Sequence, residues 1–372
     1  MKKLLFSLIF IFFLYAPGES QVSDLPYLDI LLAQNLQVMI GSDSPFILAG
    51  KPVDPGNYPL TLAGGDVQFQ GQLLHPPFTI TTSSPIQYLR LNQKLYRGGL
   101  AVIVYHGLLE VINHLTLEEY LYGVIGKEMP GSSLEALKAQ AVASRTLALN
   151  AFQKGNLLHS TVTNQVYGGV LGERLTSNQA VDDTRGMVLM YQGKLVASPL
   201  FSSTCGGTTE TSEAVFGKRV PYLASVKDSD SDDAHAFCNR SPYFEWQYVF
   251  DKSQLLSMLM SKGVHGDLQA LVPEVTDPEG RVKTLLIKTS EGEWRLHNFE
   301  IRNAIKRPDG KILPSTWFTV EQQNQIFVFH GRGQGHGVGM CQWGAIGMAD
   351  QGKDFKAILS HYYPGTDLQD MH

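Results

Sequence analysis

The sequence predicts an α+β protein: strands and helices mixed around a substrate cleft, with a β-rich N-terminal region. Three observations lead there. Short strand-like runs broken by Pro and Gly fill the stretch from Gln21 to about Gly107. Two amphipathic helices with clear start signals follow. After them, strand and helix signals alternate without the regular spacing of a βαβ repeat. The chain of 372 residues has 43% hydrophobic and 17% charged side chains, enough for a substantial core. Its formal net charge is −5, and it has no basic tract, which argues against a nucleic-acid partner.

At the N-terminus, Lys2 and Lys3 precede an apolar run from Leu4 to Tyr15, followed by Ala16-Pro17-Gly18-Glu19-Ser20. This pattern predicts a secretory signal over residues 1–20, cleaved near Gln21. The run is short of the ~20 residues that a spanning helix needs, so the mature chain is expected to be exported and not membrane-spanning.

Residues 21–112 read as the β-rich region, with strands at Leu60–Leu62, Phe78–Thr81 and Leu100–Tyr105. A single catalytic region is expected over 113–372. Its first helix begins at Thr116, where Thr116 and Glu119 form a capping-box pattern and Glu118 reads as solvated; Gly126 and Pro130 bracket its end. The second starts at Ser132, boxed by Glu135, and runs to about Phe152 with a narrow alanine face. Val188–Tyr191 and Lys194–Val196 flank a Gln192-Gly193 turn and predict a hairpin. Farther on, the patterns predict a helix over 253–261, a strand over 282–287 and a short helix over 299–305. A strand from Gln325 to Phe329 leads into a glycine-rich loop, and helices follow over 342–351 and 354–362.

Three segments could carry chemistry. Glu128, in Glu128-Met129-Pro130, falls at the C-terminal end of the first helix. The negative end of the helix dipole there should favour a protonated carboxyl, as a general acid requires. On local pattern alone, an exposed glutamate in a turn is the favoured reading. Gly331 to Gly339 alternates five glycines, so an extended chain there would present bare backbone to a bulky ligand such as a sugar ring. His336 within it reads as a hydrogen-bonding or site-orienting group, or else as a satisfied structural histidine. Its glycine spacing fits neither a dinucleotide nor a phosphate loop.

The third segment is Thr204-Cys205-Gly206-Gly207. The chain's three cysteines permit a Cys205–Cys238 disulfide with Cys341 free, which is the preferred reading for an exported protein. Unpaired thiols, or a metal site shared with His235 or His336, are the alternatives, although the spacing matches no standard zinc motif. A Cys205–His336 nucleophilic pair is a third possibility.

The ordered set of motifs resembles the SpoIID/LytB family of bacterial cell-wall proteins. Tyr96-Arg97-Gly98, Leu117-Glu118-Glu119-Tyr120-Leu121, Glu128-Met129-Pro130, Glu135 to Ala141 and Ser144-Arg145-Thr146 carry the resemblance. Thr204 to Gly207, Gly280-Arg281-Val282, Gly333 to Met340 and Tyr362-Tyr363-Pro364-Gly365 complete it, over roughly residues 95 to 366. The resemblance implies a lytic transglycosylase or an amidase enhancer in the periplasm or cell envelope. Its substrate would be peptidoglycan glycan strands stripped of stem peptides, with a cell-wall amidase acting upstream and no cofactor. It implies Glu128 as the catalytic glutamate. Relatives often carry serine where Cys341 stands, which weakens a claim that this thiol is essential. Gln140 and Arg145 lie about 500° apart around the second helix, so only one can reach the cleft. Gln140, His336 and Gln342 are the preferred substrate contacts, with Arg145 a weaker one.

Overall fold

The computed structural model describes residues 26–160, 165–231 and 235–371, and these form a mixed α+β fold with a β-rich N-terminal region, as the sequence predicts. The expected signal segment lies outside the described residues. Two units emerge: one of residues up to 198 together with those from 367 onward, the other Pro199–Thr366. The boundary drawn from the sequence near residue 112 falls inside a continuous strand, Leu108–Thr116. In chain order, the second unit is an insertion into the first.

The first unit opens with two antiparallel-rich sheets. One has the strand order Leu158–His159, Tyr27–Asn35, Leu108–Thr116, Gly99–Tyr105, Phe78–Thr82, Phe46–Leu48, Lys51–Val53. The other is six-stranded. Their buried rows, among them Leu28, Ile30, Val102 and Val111, exclude water almost completely. The runs expected at 60–62, 78–81 and 100–105 all lie within observed strands.

Strand Leu108–Thr116 runs directly into helix α1 (Leu117–Glu128). The predicted capping box forms: Thr116 Oγ1 accepts the Glu119 amide at 3.3 Å, and Glu119 Oε2 accepts the Thr116 amide at 3.0 Å. Such a cap contributes about 0.5–2 kcal/mol. Helix α2 spans Leu134–Gln153, and its alanines at 136, 139, 141, 143 and 148 are all buried. The box expected from Ser132 and Glu135 does not form. Ser133 is the N-cap and makes no side-chain cap bond, while Glu135 pairs with Lys138 at 2.9 Å. Helix α3 (Leu175–Asp183) packs on both α1 and α2. It was not expected, because its sequence is rich in Thr, Ser, Asn and Asp and has few apolar positions.

Glu118 is not solvated. It is 2% exposed and receives the Arg145 guanidinium in a fork, Nε to Oε1 and Nη2 to Oε2, both at 2.7 Å. Arg145 is fully buried and also donates to the carbonyls of Val181 and Met187, each at 3.2 Å. One guanidinium thereby ties α2 to α1, to the end of α3 and to the next strand. That strand, Met187–Tyr191, forms the expected hairpin with Lys194–Leu195. Gln192 and Gly193 turn at φ 51° and 73°, the left-handed pair that a two-residue hairpin favours. Asp367–Asp370 pairs with the other edge of the strand and returns the chain to this unit.

In the second unit, helix α4 (Ser212–Phe216) precedes two three-stranded sheets. One contains Glu245–Asp251, Ile326–Arg332 and Phe318–Gln323; the other contains Leu268–Thr276, Val282–Thr289 and Gly292–His297. Helices α5 (Lys252–Met260) and α6 (Phe299–Ala304) join them around a core that includes Phe250, Leu285, Phe327 and Phe329. Helices α7 (Gln342–Asp350) and α8 (Phe355–Tyr362) follow at nearly the predicted positions. No helix among the described residues is long and apolar enough to cross a membrane.

Breaking the buried pair from one side leaves an uncompensated charge, a cost of about 3–5 kcal/mol. Arg145→Met should therefore lower the unfolding free energy by that amount in urea melts. The double replacement Glu118→Leu with Arg145→Met should recover most of the loss. A single replacement with wild-type stability would contradict this account of the pair.

Candidate functional site

Glu128 is the last residue of α1, and Pro130 two residues on prevents the helix from continuing. Its side chain is half-buried, and its Oε1 accepts the Val166 amide at 3.0 Å. The floor beside it is aromatic and polar. Tyr120 is fully buried, and its hydroxyl donates to Gln165 Oε1 at 3.2 Å. Burial, and secondarily the charge of Glu128, push the Tyr120 phenol well above its ordinary range, so it stays a neutral donor. Tyr167 packs on Tyr120 at 5.2 Å and donates to Asn113 Oδ1 at 2.8 Å. Gln165 is 2% exposed, and its Nε2 has no partner among the described residues.

Close approach of backbone to backbone brings this second segment to the helix. A Cβ on Gly126 would sit 2.2 Å from the Gly172 carbonyl oxygen, and one on Gly123 would sit 2.5 Å from the Tyr167 ring. The two glycines in Gly123-Val124-Ile125-Gly126 thus let residues 166–172 lie against α1 and deliver the Val166 amide to Glu128. Sequence reasoning missed Gln165, Val166 and Tyr167. The only signal there was an aromatic before the glycine pair Gly168-Gly169.

The other residues expected on this side do not face a cleft. Gln140 is fully buried and donates to Ser144 Oγ at 3.0 Å, and Arg145 is consumed by Glu118 and the carbonyls described above. Neither is accessible to a substrate in this structure. Both side chains are buried, so neither face of α2 presents a contact to a cleft at these positions.

In the second unit, the alternating glycines take a conformation different from the expected extended one. Gly333, Gly335, Gly337 and Gly339 have φ of 78°, 105°, 76° and 73°, in the left-handed region that glycine alone enters freely. Their bare sides face protein. A Cβ on Gly337 would lie 2.3 Å from Arg281 Nη2, and one on Gly339 would lie 2.0 Å from the Leu200 carbonyl oxygen. The strip is therefore shaped to pack against residues 200–210, not to present bare backbone to a ligand. Gln334 and Thr204 exchange backbone bonds at 2.8 and 3.1 Å, and Glu210 donates its amide to the Gly337 carbonyl at 2.7 Å.

His336 serves this packing. Its Nδ1 accepts the Val338 amide at 3.0 Å, and the ring also bonds the Phe201 backbone. Burial first, then the charges of Arg281 and Arg302, pull its pKa down to about 4, so the ring is neutral at neutral pH. Its edge meets the Phe216 ring at 5.7 Å, on the wall of a cavity of about 280 Å³. Arg281, Arg302, Asp277 and Phe299 also line that cavity. Beneath the strip, burial pushes Glu210 up to about 7, helped by a hydrogen bond with Asp277. Neither acid was anticipated. Gln342 opens α7 and is half-buried.

The three cysteines are buried and unbonded. Cys205 and Cys238 are close, as the expected disulfide requires, but their Sγ atoms stand 3.7 Å apart and Cys341 joins them. His235 is exposed and His336 is held by its own strip, so neither belongs to this cluster.

Comparison with known proteins agrees with this architecture. The stage II sporulation protein family SpoIID matches residues 105–191, which hold α1, α2 and Glu128. A domain of unknown function matches residues 232–339. An uncharacterised protein of Brachyspira hyodysenteriae is 37% identical over 75% of this chain and 74% of its own. The amidase enhancer of Bacillus subtilis is 33% identical over 67% of this chain, which spans only 40% of that longer protein. Stage II sporulation protein D of Bacillus amyloliquefaciens is 31% identical over 74% of this chain and 80% of its own. With the capped helix, its terminal glutamate and the glycine strip all in place, the chain belongs to the SpoIID family.

Proposed function

We propose that this protein is an exported lytic transglycosylase of the bacterial cell wall, acting in the periplasm or envelope on peptide-stripped glycan strands. The observation that carries the reading is the setting of Glu128: a half-buried carboxyl at a helix end that accepts the Val166 amide, beside a neutral tyrosine. In the proposed reaction Glu128 first donates its proton to the glycosidic oxygen leaving from C1 of N-acetylmuramic acid. The same carboxylate then takes the proton of that sugar's 6-hydroxyl as the oxygen attacks C1. The β-1,4 bond to N-acetylglucosamine breaks, a 1,6-anhydro bond forms, and the carboxyl is regenerated. Ordinary glycosidases use a second carboxylate because water or an enzyme group is their nucleophile. Here the substrate supplies its own, and no cofactor enters the scheme. Gln342 is the remaining expected substrate contact, and His336 acts by shaping the glycine strip.

The amidase-enhancer relative favours a second reading, in which the protein binds the wall and stimulates a peptidoglycan amidase. Mass spectrometry of stripped glycan incubated with the protein alone separates the two. New anhydro ends support the enzyme. Faster peptide release by an added amidase, with intact glycan, supports the enhancer.

Glu128→Gln should reduce release of anhydro products by about 10²–10⁴-fold while leaving the far-ultraviolet spectrum unchanged. Undiminished release would sink the assignment. For His336, the folded pKa of about 4 lies below the ordinary value of 6.5, so the unfolded chain binds more protons between those limits. Its contribution to stability is complete above pH 6.5 and is lost as pH falls toward 4, by at most about 3 kcal/mol. His336→Gln should remove this acid-side loss. Glu210 titrates in the same window with the opposite sign in both proteins, so the difference between their melting profiles isolates the histidine. A flat difference would contradict the account.

A further inference from the structure

Outside the site just described, four potential ligands converge in the interior of the second unit. Cys205, Cys238 and Cys341 each bring a sulfur, and Asp228 a carboxylate oxygen, to within 4.8 Å of one another; all four residues are buried. They come from separate segments: the loop after strand Phe201–Ser202, a second loop, a single helical turn at Phe237–Arg240, and the N-cap of α7. We propose that these residues form a closed, structural binding site for a zinc ion.

The geometry fits tetrahedral coordination. Zinc–thiolate bonds of about 2.3 Å place neighbouring sulfurs about 3.8 Å apart. The Cys205 and Cys238 sulfurs are 3.7 Å apart, far beyond the ~2.0 Å of a disulfide. A set of three thiolates and one oxygen in a dry pocket suits zinc, which takes sulfur and oxygen donors and has no geometric demand beyond four ligands.

The groups around the cluster orient it as the outer partners of metal ligands do. Cys341 Sγ accepts the amides of Cys205 at 3.2 Å and Gly344 at 3.3 Å. Asp228 Oδ2 accepts the Cys238 amide at 2.8 Å, and Oδ1 accepts the hydroxyl of the fully buried Tyr362. Gly344 is part of the arrangement, since a Cβ there would lie 2.0 Å from the Tyr362 hydroxyl and 2.2 Å from Asp228 Oδ1. Among the described residues no cation is in contact with the Asp228 carboxylate, which is buried among thiols, an expensive state if it is charged. The neighbouring Arg281 donates to the Cys205 carbonyl oxygen at 2.9 Å. Zinc supplies the charge when the thiols release their protons to it. With all four positions filled by protein, no site is left for a substrate, so the role is to staple these segments at the foot of the glycine strip.

The test is metal content. The full chain, purified without chelator, should carry about one zinc per molecule by plasma mass spectrometry. Alkylation after denaturation with chelator should find three free thiols. Cobalt exchanged into the site should show the intense visible bands and thiolate charge transfer of tetrahedral sulfur ligation. Tyr362→Phe, which keeps all four ligands, should weaken zinc retention about 10–100-fold. A metal-free chain with one alkylatable thiol would mean a Cys205–Cys238 disulfide and overturn the proposal. Bound zinc without thiolate charge transfer on cobalt exchange would place the metal elsewhere and overturn it equally. These readouts do not involve glycan cleavage, so they stand or fall apart from the role of Glu128.

Discussion

The helical part of the first unit depends on one desolvated guanidinium. Arg145 has no exposure, and its donors are spent on Glu118 and on carbonyls of two later segments. Buried ion pairs of this kind contribute little net stability compared with apolar packing, but they tolerate few alternative arrangements. Here the pair sets the register of α1 against α2, and α1 ends on Glu128. The position of the acid is therefore held by the ion pair in the first turn of the helix and by the Val166 amide at its end.

Much of the architecture was legible in the sequence, and the misreadings share a cause. The capping box at Thr116, the alanine face of α2 and the Gln192-Gly193 hairpin rest on local stereochemistry, and each formed. Glu118, Gln140 and Arg145 were misplaced because a polar residue on a helix reads as facing water or ligand by default. Whether it is buried depends on partners far along the chain: Glu118 and Arg145 are separated by 27 residues. Helix α3 escaped notice because tertiary packing, not propensity, holds it.

The glycine strip shows the same limit more sharply. Its alternation was visible, but a period of two was read as extended chain. In fact the period arises because alternate residues are left-handed, and the missing side chains make room for Arg281, Ser202 and the Leu200 carbonyl. The sequence pointed to a Cys205–Cys238 pairing but not to the full cluster. Its fourth member is an aspartate from a loop, and its ligands span positions 205 to 341 with no motif spacing.

Because the second unit is inserted between residues 198 and 367, strand Asp367–Asp370 of the first unit is made after the whole inserted unit. Asp367–Asp370 closes the edge of Met187–Tyr191, which has only the two-residue strand Lys194–Leu195 on its other side. On a growing chain, that edge stays open until the whole inserted unit has emerged. The inserted unit, by contrast, holds its own core and all four cluster residues between its own boundaries. Folding in order of synthesis, which is the rule for multidomain chains, then becomes inside-out here: the interior unit can finish while the enclosing one waits for its final strand.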